Sequence, residues 1–294
     1  TDAMEVNIIG YISSCASHEW HVSQSAMASL SAAVFCGELL GAPFFSHLSD
    51  IHGRKPAMIW SMILISFFSW ISAFAWNVYS LYIFRFIVGF GIGGACIPFD
   101  LLAEFLPPSG GRGLYLALAQ LSWGIGTPLV AGVSWILAVL NNNQLQWRVL
   151  TCIVAIPITI ATIIAHIMIL ESPRFLLHNS RIEEAKEILH SAAKINGSVI
   201  ADFTFKIEEK YISNNDIEDK NLLTDTQQQH QHHQQELEQG SFNFFSWHFF
   251  EEWKEKIYEL FSPELRLQTM QMLLIFFLGG GCYYGIILLQ NAVY

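Results

Sequence analysis

Ser46-His47-Leu48-Ser49-Asp50-Ile51-His52-Gly53-Arg54-Lys55 is the charged segment around which the rest of the chain is arranged. It lies between two apolar runs, roughly Ala26 to Phe45 and roughly Pro56 to Trp76. Each run is close to the ~20 residues that a helix needs to cross the hydrocarbon core of a bilayer. The ten residues between them read as a tight charged turn at a membrane face, with no apolar helix of their own. Such a turn must bring its backbone to water or to protein partners. Gly53 suits a sharp reversal, because without a Cβ it adopts a positive φ freely. Asp50, Arg54 and Lys55 put one acid and two bases there, able to pair with each other and with the ends of neighbouring helices. A bare topology signal is the competing explanation, and it would need the two bases but neither the aspartate nor the glycine.

Composition points the same way. Hydrophobic residues make up 52% of the chain and charged residues 14%, against ~25% charged in soluble domains. The chain therefore reads as a polytopic membrane protein. Its net charge is −10, and the segment from Glu171 to Arg266, with 18 acids and 10 bases, carries eight of those charges. The membrane part is left nearly neutral, and no basic face suits nucleic acid. Cys15, Cys36, Cys96, Cys152 and Cys282 are odd in number and widely spaced, a pattern of neither a disulfide framework nor a metal site. No HExxH, CxxC or Ser/His/Asp grouping lies at membrane depth, and His166 alone makes no catalytic unit. The sequence thus points away from an enzyme and implies no cofactor or metal.

Residues 1–170 read as a transmembrane bundle of six helices, the first of them truncated. Ala3 to Ser14 is the outer half of the first helix, and Cys15 to Gln24 the first outside loop. Asp2 and Glu5, three apart, share a helical face. At ~1.5 Å per residue they lie roughly 18 and 13 Å below an end near Ser14, close to the bilayer midplane. The second helix carries Glu38, and the third ends at Trp76-Asn77. The fourth runs from about Tyr79 to Leu102, with Arg85 roughly one turn in and Gly89 and Gly93 spaced for close approach of a neighbour. The fifth runs from about Leu114 to Val139, and the sixth from Trp147-Arg148 to near Leu170. Arg54, Lys55 and Arg112 in short loops, against Arg148 alone on the other side, place the charged turn in the cytoplasm.

Residues 171–266 read as a cytoplasmic linker. Ile182, Ala185, Leu189, Ala192 and Ile195 recur at helical spacing with charges between them, an amphipathic helix ended by Asn196-Gly197. Gln227 to Gln235 is a low-complexity Gln/His insert, and Phe242 to Phe261 suits a helix lying on the membrane surface or against the bundle. Residues 267–294 hold a seventh spanning helix.

Together these features resemble the major facilitator superfamily of transporters. Leu48, Asp50, Gly53, Arg54 and Lys55 match its G-x-L-x-D-x-x-G-R-K turn, with Ser46 where a glycine is usual. Arg85, Gly89, Gly91 and Gly93 match the R-x-x-x-G-x-G-x-G pattern of its fourth helix, and Glu171-Ser172-Pro173-Arg174 the run after its sixth. Asp2-Ala3-Met4-Glu5, His18-Glu19-Trp20, Ala103-Glu104-Phe105-Leu106-Pro107 and Tyr283-Tyr284-Gly285 are similar to the synaptic-vesicle-two-related branch, which also resembles organic ion transporters. The resemblance implies an all-α fold in which this chain is a fragment: the N-terminal six-helix half plus the first helix of the second half. It implies a multi-pass protein of the plasma membrane or a vesicle membrane that moves a small, charged organic solute by alternating access, coupled to protons or another ion. The rival is a vesicle or receptor-like membrane protein that transports nothing and binds a nucleotide or a protein partner.

Ionisable groups inside a membrane are expensive and mark function by default. Here they are Asp2, Glu5, Glu38 and Asp100 against Arg85 alone. Asp2, Glu5 and Arg85 are candidates for substrate or proton contact, with an internal Glu5 or Asp2 pair to Arg85 as the alternative. Gln120 and Trp123 on one face of the fifth helix could offer an amide and a ring to the solute, with packing as the default alternative for both. A second set, Asp50, Gly53, Arg54, Lys55, Glu104, Arg112, Glu171 and Arg174, sits at cytoplasmic helix ends and would latch one conformation.

Overall fold

In the computed structural model the described residues are 2–106, 111–141 and 146–195, and further along 254, 258, 261–263, 265–274 and 278. Residues 1–200 with 284–294 form one compact unit and residues 201–283 a second. In the second unit residues 266–274 are helical, overlapping the start of the expected seventh span. The Gln/His insert, the Asn196-Gly197 cap and most of the aromatic stretch lie outside the described residues.

The first unit is a helical bundle. Its elements are α1 (Asp2–Trp20), α2 (Gln24–His52), α3 (Arg54–Ala73), α4 (Val78–Ile92), α5 (Ile97–Phe105), α6 (Arg112–Leu140), α7 (Trp147–Met168), α8 (Pro173–His178) and α9 (Ile182–Ile195). Five stretches among the described residues are long and apolar enough to cross a membrane: Ser29–His52, Arg54–Ala73, Val78–Phe105, Arg112–Leu140 and Trp147–Met168. α1 carries three acids, and its buried residues include Ile8, Ile9, Ile12 and Ala16. It packs against α2, α6 and α7, while α3 packs against α4 and α7. The main core joins Ile8 and Ile12 to Leu30, Val34, Leu81, Val88, Leu150 and Val154. A smaller core of Phe45, Ala57, Met58, Ile97 and Ala165 lies toward the charged turn.

The α2–α4 contact, the most extensive in the bundle, is made by glycines on both sides. A Cβ at Gly89 would strike the carbonyl of Val34, and one at Gly93 the backbone of Gly41 and Ala42. In return, Cβ atoms at Gly37 and Gly41 would strike the carbonyls of Phe86 and Phe90. Two small-xxx-small stripes thus bring two backbones together, which is how helices associate where lipid offers no hydrophobic drive. The sequence reading found the α4 stripe and missed Gly37 and Gly41.

Three expectations are corrected. The charged stretch is not a ten-residue turn: α2 continues through Ser46 to His52, α3 begins at Arg54, and the reversal falls on Gly53 alone, at φ 105° and ψ 163°. That conformation is essentially restricted to glycine. The first outside loop is also shorter than Cys15 to Gln24, because α1 runs on to Trp20 and Ser23 already caps α2, its side chain accepting from the Ala26 N–H. The continuous fourth helix is broken between Ile92 and Ile97. Pro98 has no N–H to give the Gly94 carbonyl, and the chain there closes with tight turns such as Gly94 N–H to Gly91 O at 2.9 Å and Ala95 N–H to Ile92 O at 2.8 Å. The amphipathic helix appears as expected, over Ile182–Ile195.

Candidate functional site

The deepest polar contact joins α1, α3 and α4. Arg85 donates from one terminal nitrogen to Glu5 Oε2 at 2.8 Å, and Ser69 donates its hydroxyl to Glu5 Oε1 at 2.8 Å. Both charged side chains are 1% exposed. Among the described residues, the buried Nε and second terminal nitrogen of Arg85 have no hydrogen-bond partner. A guanidinium offers five N–H donors, so this one holds unused capacity for an acceptor. Ser69 lies four residues from the end of α3 and Arg85 seven from the start of α4, about 6 and 10 Å at 1.5 Å per residue. Arg85 is therefore about two turns into α4 instead of one, while the residues of α1 around Glu5 meet Gly126 and Thr127, midway along α6. Asp2, one turn further along α1, is partly buried and within electrostatic reach of Glu38 on α2.

The remaining candidates of this set separate. Gln120 is exposed on α6, whereas Trp123 is half-buried against the main core. Between α1 and α6, Asn7 donates to Thr127 Oγ1 at 3.2 Å and to the Ala3 carbonyl at 2.6 Å. Asp100 is exposed, with Arg54, Glu104 and Asp50 in electrostatic reach.

At the charged-turn end the structure gathers Asp50, Arg54, Glu104 and Glu171. Arg54 donates to Asp50 Oδ1 at 2.8 Å, to the Ser49 carbonyl at 2.8 Å and, through Nε, to Glu104 Oε1 at 3.3 Å. Its guanidinium lies 6.0 Å from the centre of the Phe175 ring. Among the described residues Glu171 pairs with backbone, not with an arginine: its Oε1 accepts from the N–H groups of Arg54 (2.9 Å), Lys55 (3.2 Å) and Ser172 (2.9 Å). Gly53 has no side chain with which to cap α3, so the carboxylate following α7 takes that role, at a helix N-terminus that favours an anion. A Cβ on Gly53 would meet Glu171 Oε2 and the Phe175 ring, a second reason for glycine there. Arg112 is half-buried and Arg174 exposed; among the described residues neither makes an ion pair with this cluster.

At the far end of the bundle a third cluster forms that the sequence reading did not assemble. Arg148 donates to both oxygens of Glu19 at 2.6 Å and to the Ala75 carbonyl at 3.2 Å. The Trp147 indole N–H donates to Glu19 Oε2 at 2.7 Å. Arg148 lies 4.3 Å from the Trp147 ring centre and 5.8 Å from that of Trp20. Ser69 was also missed. Its signal was the serine series Ser61, Ser66, Ser69 and Ser72, all buried on α3.

Residues 4–239 match the family described as sugar (and other) transporters. The organic cation/carnitine transporter 7 of Arabidopsis thaliana is 28% identical over 99% of this chain and 56% of its own length. The synaptic vesicle 2-related protein of Xenopus laevis is 27% identical over 100% of this chain and 45% of its own. Among solved structures, a partially occluded inward-open conformation of the E. coli xylose transporter XylE superposes with a TM-score of 0.55 at 20% identity, covering 65% of this chain and 52% of that one. The chain thus spans about half the length of the relatives it matches.

Proposed function

Because the chain belongs to the sugar (and other) transporter family of the major facilitator superfamily, we propose that the protein of which it forms a half moves a small, charged organic solute across a membrane by alternating access, coupled to protons through Glu5. The observation that carries this reading is the buried Glu5–Arg85 pair with two guanidinium nitrogens left unpartnered among the described residues. A buried ion pair contributes little net stability and is strongly destabilising when one partner is removed. Its value lies in being switchable. A proton arriving on Glu5 neutralises the carboxylate and frees Arg85, whose charge then favours an anionic group from the solute; departure of the proton restores the pair. Asp2 and Glu38, close to one another on α1 and α2, give the same region a second, acidic surface suited to a cationic group. The Asp50–Arg54–Glu104–Glu171 cluster supplies the other requirement, a set of contacts at one end that holds one conformation and parts in the other.

The test is uptake by the full-length protein in proteoliposomes, using radiolabelled carnitine, tetraethylammonium and nicotinate as charged probes and xylose as the neutral one. Saturable uptake of at least one charged probe, driven by a pH gradient, is expected. Uptake of xylose alone would overturn the charged-solute reading, and uptake of none would overturn transport of these classes.

A further inference from the structure

We propose that Arg148 is a positioning residue: by clasping Glu19 it fixes the axial register of α1 and so sets Glu5 against Arg85. Glu5, Ile8, Ile12, Ala16 and Glu19 follow one another on α1 at spacings of three and four, and so form a single stripe. Ile8, Ile12 and Ala16 are fully buried in it. Apolar burial is non-directional, so an Ile/Ala stripe by itself resists sliding by one turn, about 5.4 Å, only weakly. A carboxylate closes the stripe at each end, about 21 Å apart at 1.5 Å per residue, and each has directional partners. Glu5 takes hydrogen bonds from Arg85 and Ser69. Glu19 takes them from Arg148 and Trp147.

Arg148 reaches further than an ordinary ion pair. Its second terminal nitrogen holds the Ala75 carbonyl, in the connection between α3 and α4, the two helices that carry Ser69 and Arg85. Trp20 and Trp147, packed edge to face at 5.6 Å, flank the guanidinium. One side chain therefore ties the end of α1 to the start of α7 and to the α3–α4 corner. When Glu5 lets go of Arg85, the clasp still holds α1 to those helices and returns the carboxylate to the same place. The inference deepens the transport reading and rests on it for its purpose, though not for its geometry.

The test is a thermal-unfolding cycle on the full-length protein in nanodiscs with Glu5→Gln, Arg148→Ala and the double variant. Sites this far apart with no shared partner normally add. The clasp predicts coupling: the double variant loses no more Tm than the larger of the two single losses. Arg148→Lys, which keeps the charge, and methylguanidinium added to Arg148→Ala each recover at least half of the single loss. Strict additivity would overturn the proposal. Should Arg148→Ala not fold, Glu19→Gln takes its place in the same cycle, where additivity counts against the proposal equally. The cycle reads no transport, so a wild-type protein that fails to take up the charged probes removes the transport reading alone, and an additive cycle removes the positioning role alone.

Discussion

The Glu5–Arg85 pair and the Arg54 cluster use the same chemistry in opposite settings. Glu5 and Arg85 are each 1% exposed and bound to few partners. Arg54 and Asp50 are 21% and 48% exposed, and Arg54 spreads its donors over two carboxylates and a carbonyl. In the first setting, losing one partner strands a charge in a dry interior. In the second, water and neighbouring groups replace whatever is lost. Loss of a partner is thus costly at the first cluster and cheap at the second.

Substitutions at each cluster put that contrast to the test. Arg85→Met has the largest expected effect, a loss of about 3–5 kcal/mol, since it leaves Glu5 buried without its counter-charge. Chemical unfolding of the full-length protein measures it, and Glu5→Leu added to Arg85→Met recovers most of the loss. Gly53→Ala comes next, at about 1–3 kcal/mol, from a backbone region open essentially to glycine alone, with the Glu171 contact crowded besides. Glu171→Ala removes the external cap of α3 and costs about 0.5–2 kcal/mol, as helix caps do; hydrogen exchange at the first turn of α3 locates the effect. Asp50→Asn is the smallest, about 0.2–1 kcal/mol for a hydrated pair. Salt separates the two settings: at 1 M, where the Debye length is ~3 Å, the Asp50→Asn difference vanishes and the Arg85→Met difference remains.

Legibility in the sequence followed the range of the interaction. Patterns local to one helix were readable: the third, fifth and sixth apolar spans, the Gly89/Gly93 stripe and the charge-laced face of α9 all appear close to where the sequence put them. The site residues were nameable one by one, because a charge in an apolar run stands out whatever its partner. Their partners were not. Ser69 lies 64 residues from Glu5, Glu171 lies 117 from Arg54, and Arg148 lies 129 from Glu19, and no spacing rule spans such distances. Glu171 also met a backbone, which carries no letter in the sequence. Gly37 and Gly41 lay unremarked because a small-residue stripe gains meaning only beside its partner. The break after Ile92 was hidden in a run whose hydrophobicity is unbroken, although Pro98 was its visible cause.

Proton movement coupled to solute bears on the role of Glu5 without an intermediate step. In proteoliposomes of the full-length protein, addition of a transported probe should make the external medium more alkaline as protons enter with it. Glu5→Gln should abolish that alkalinisation while leaving exchange of internal for external probe intact. Proton entry at the wild-type rate in Glu5→Gln would contradict the account, and Glu5–Arg85 would then be a structural pair.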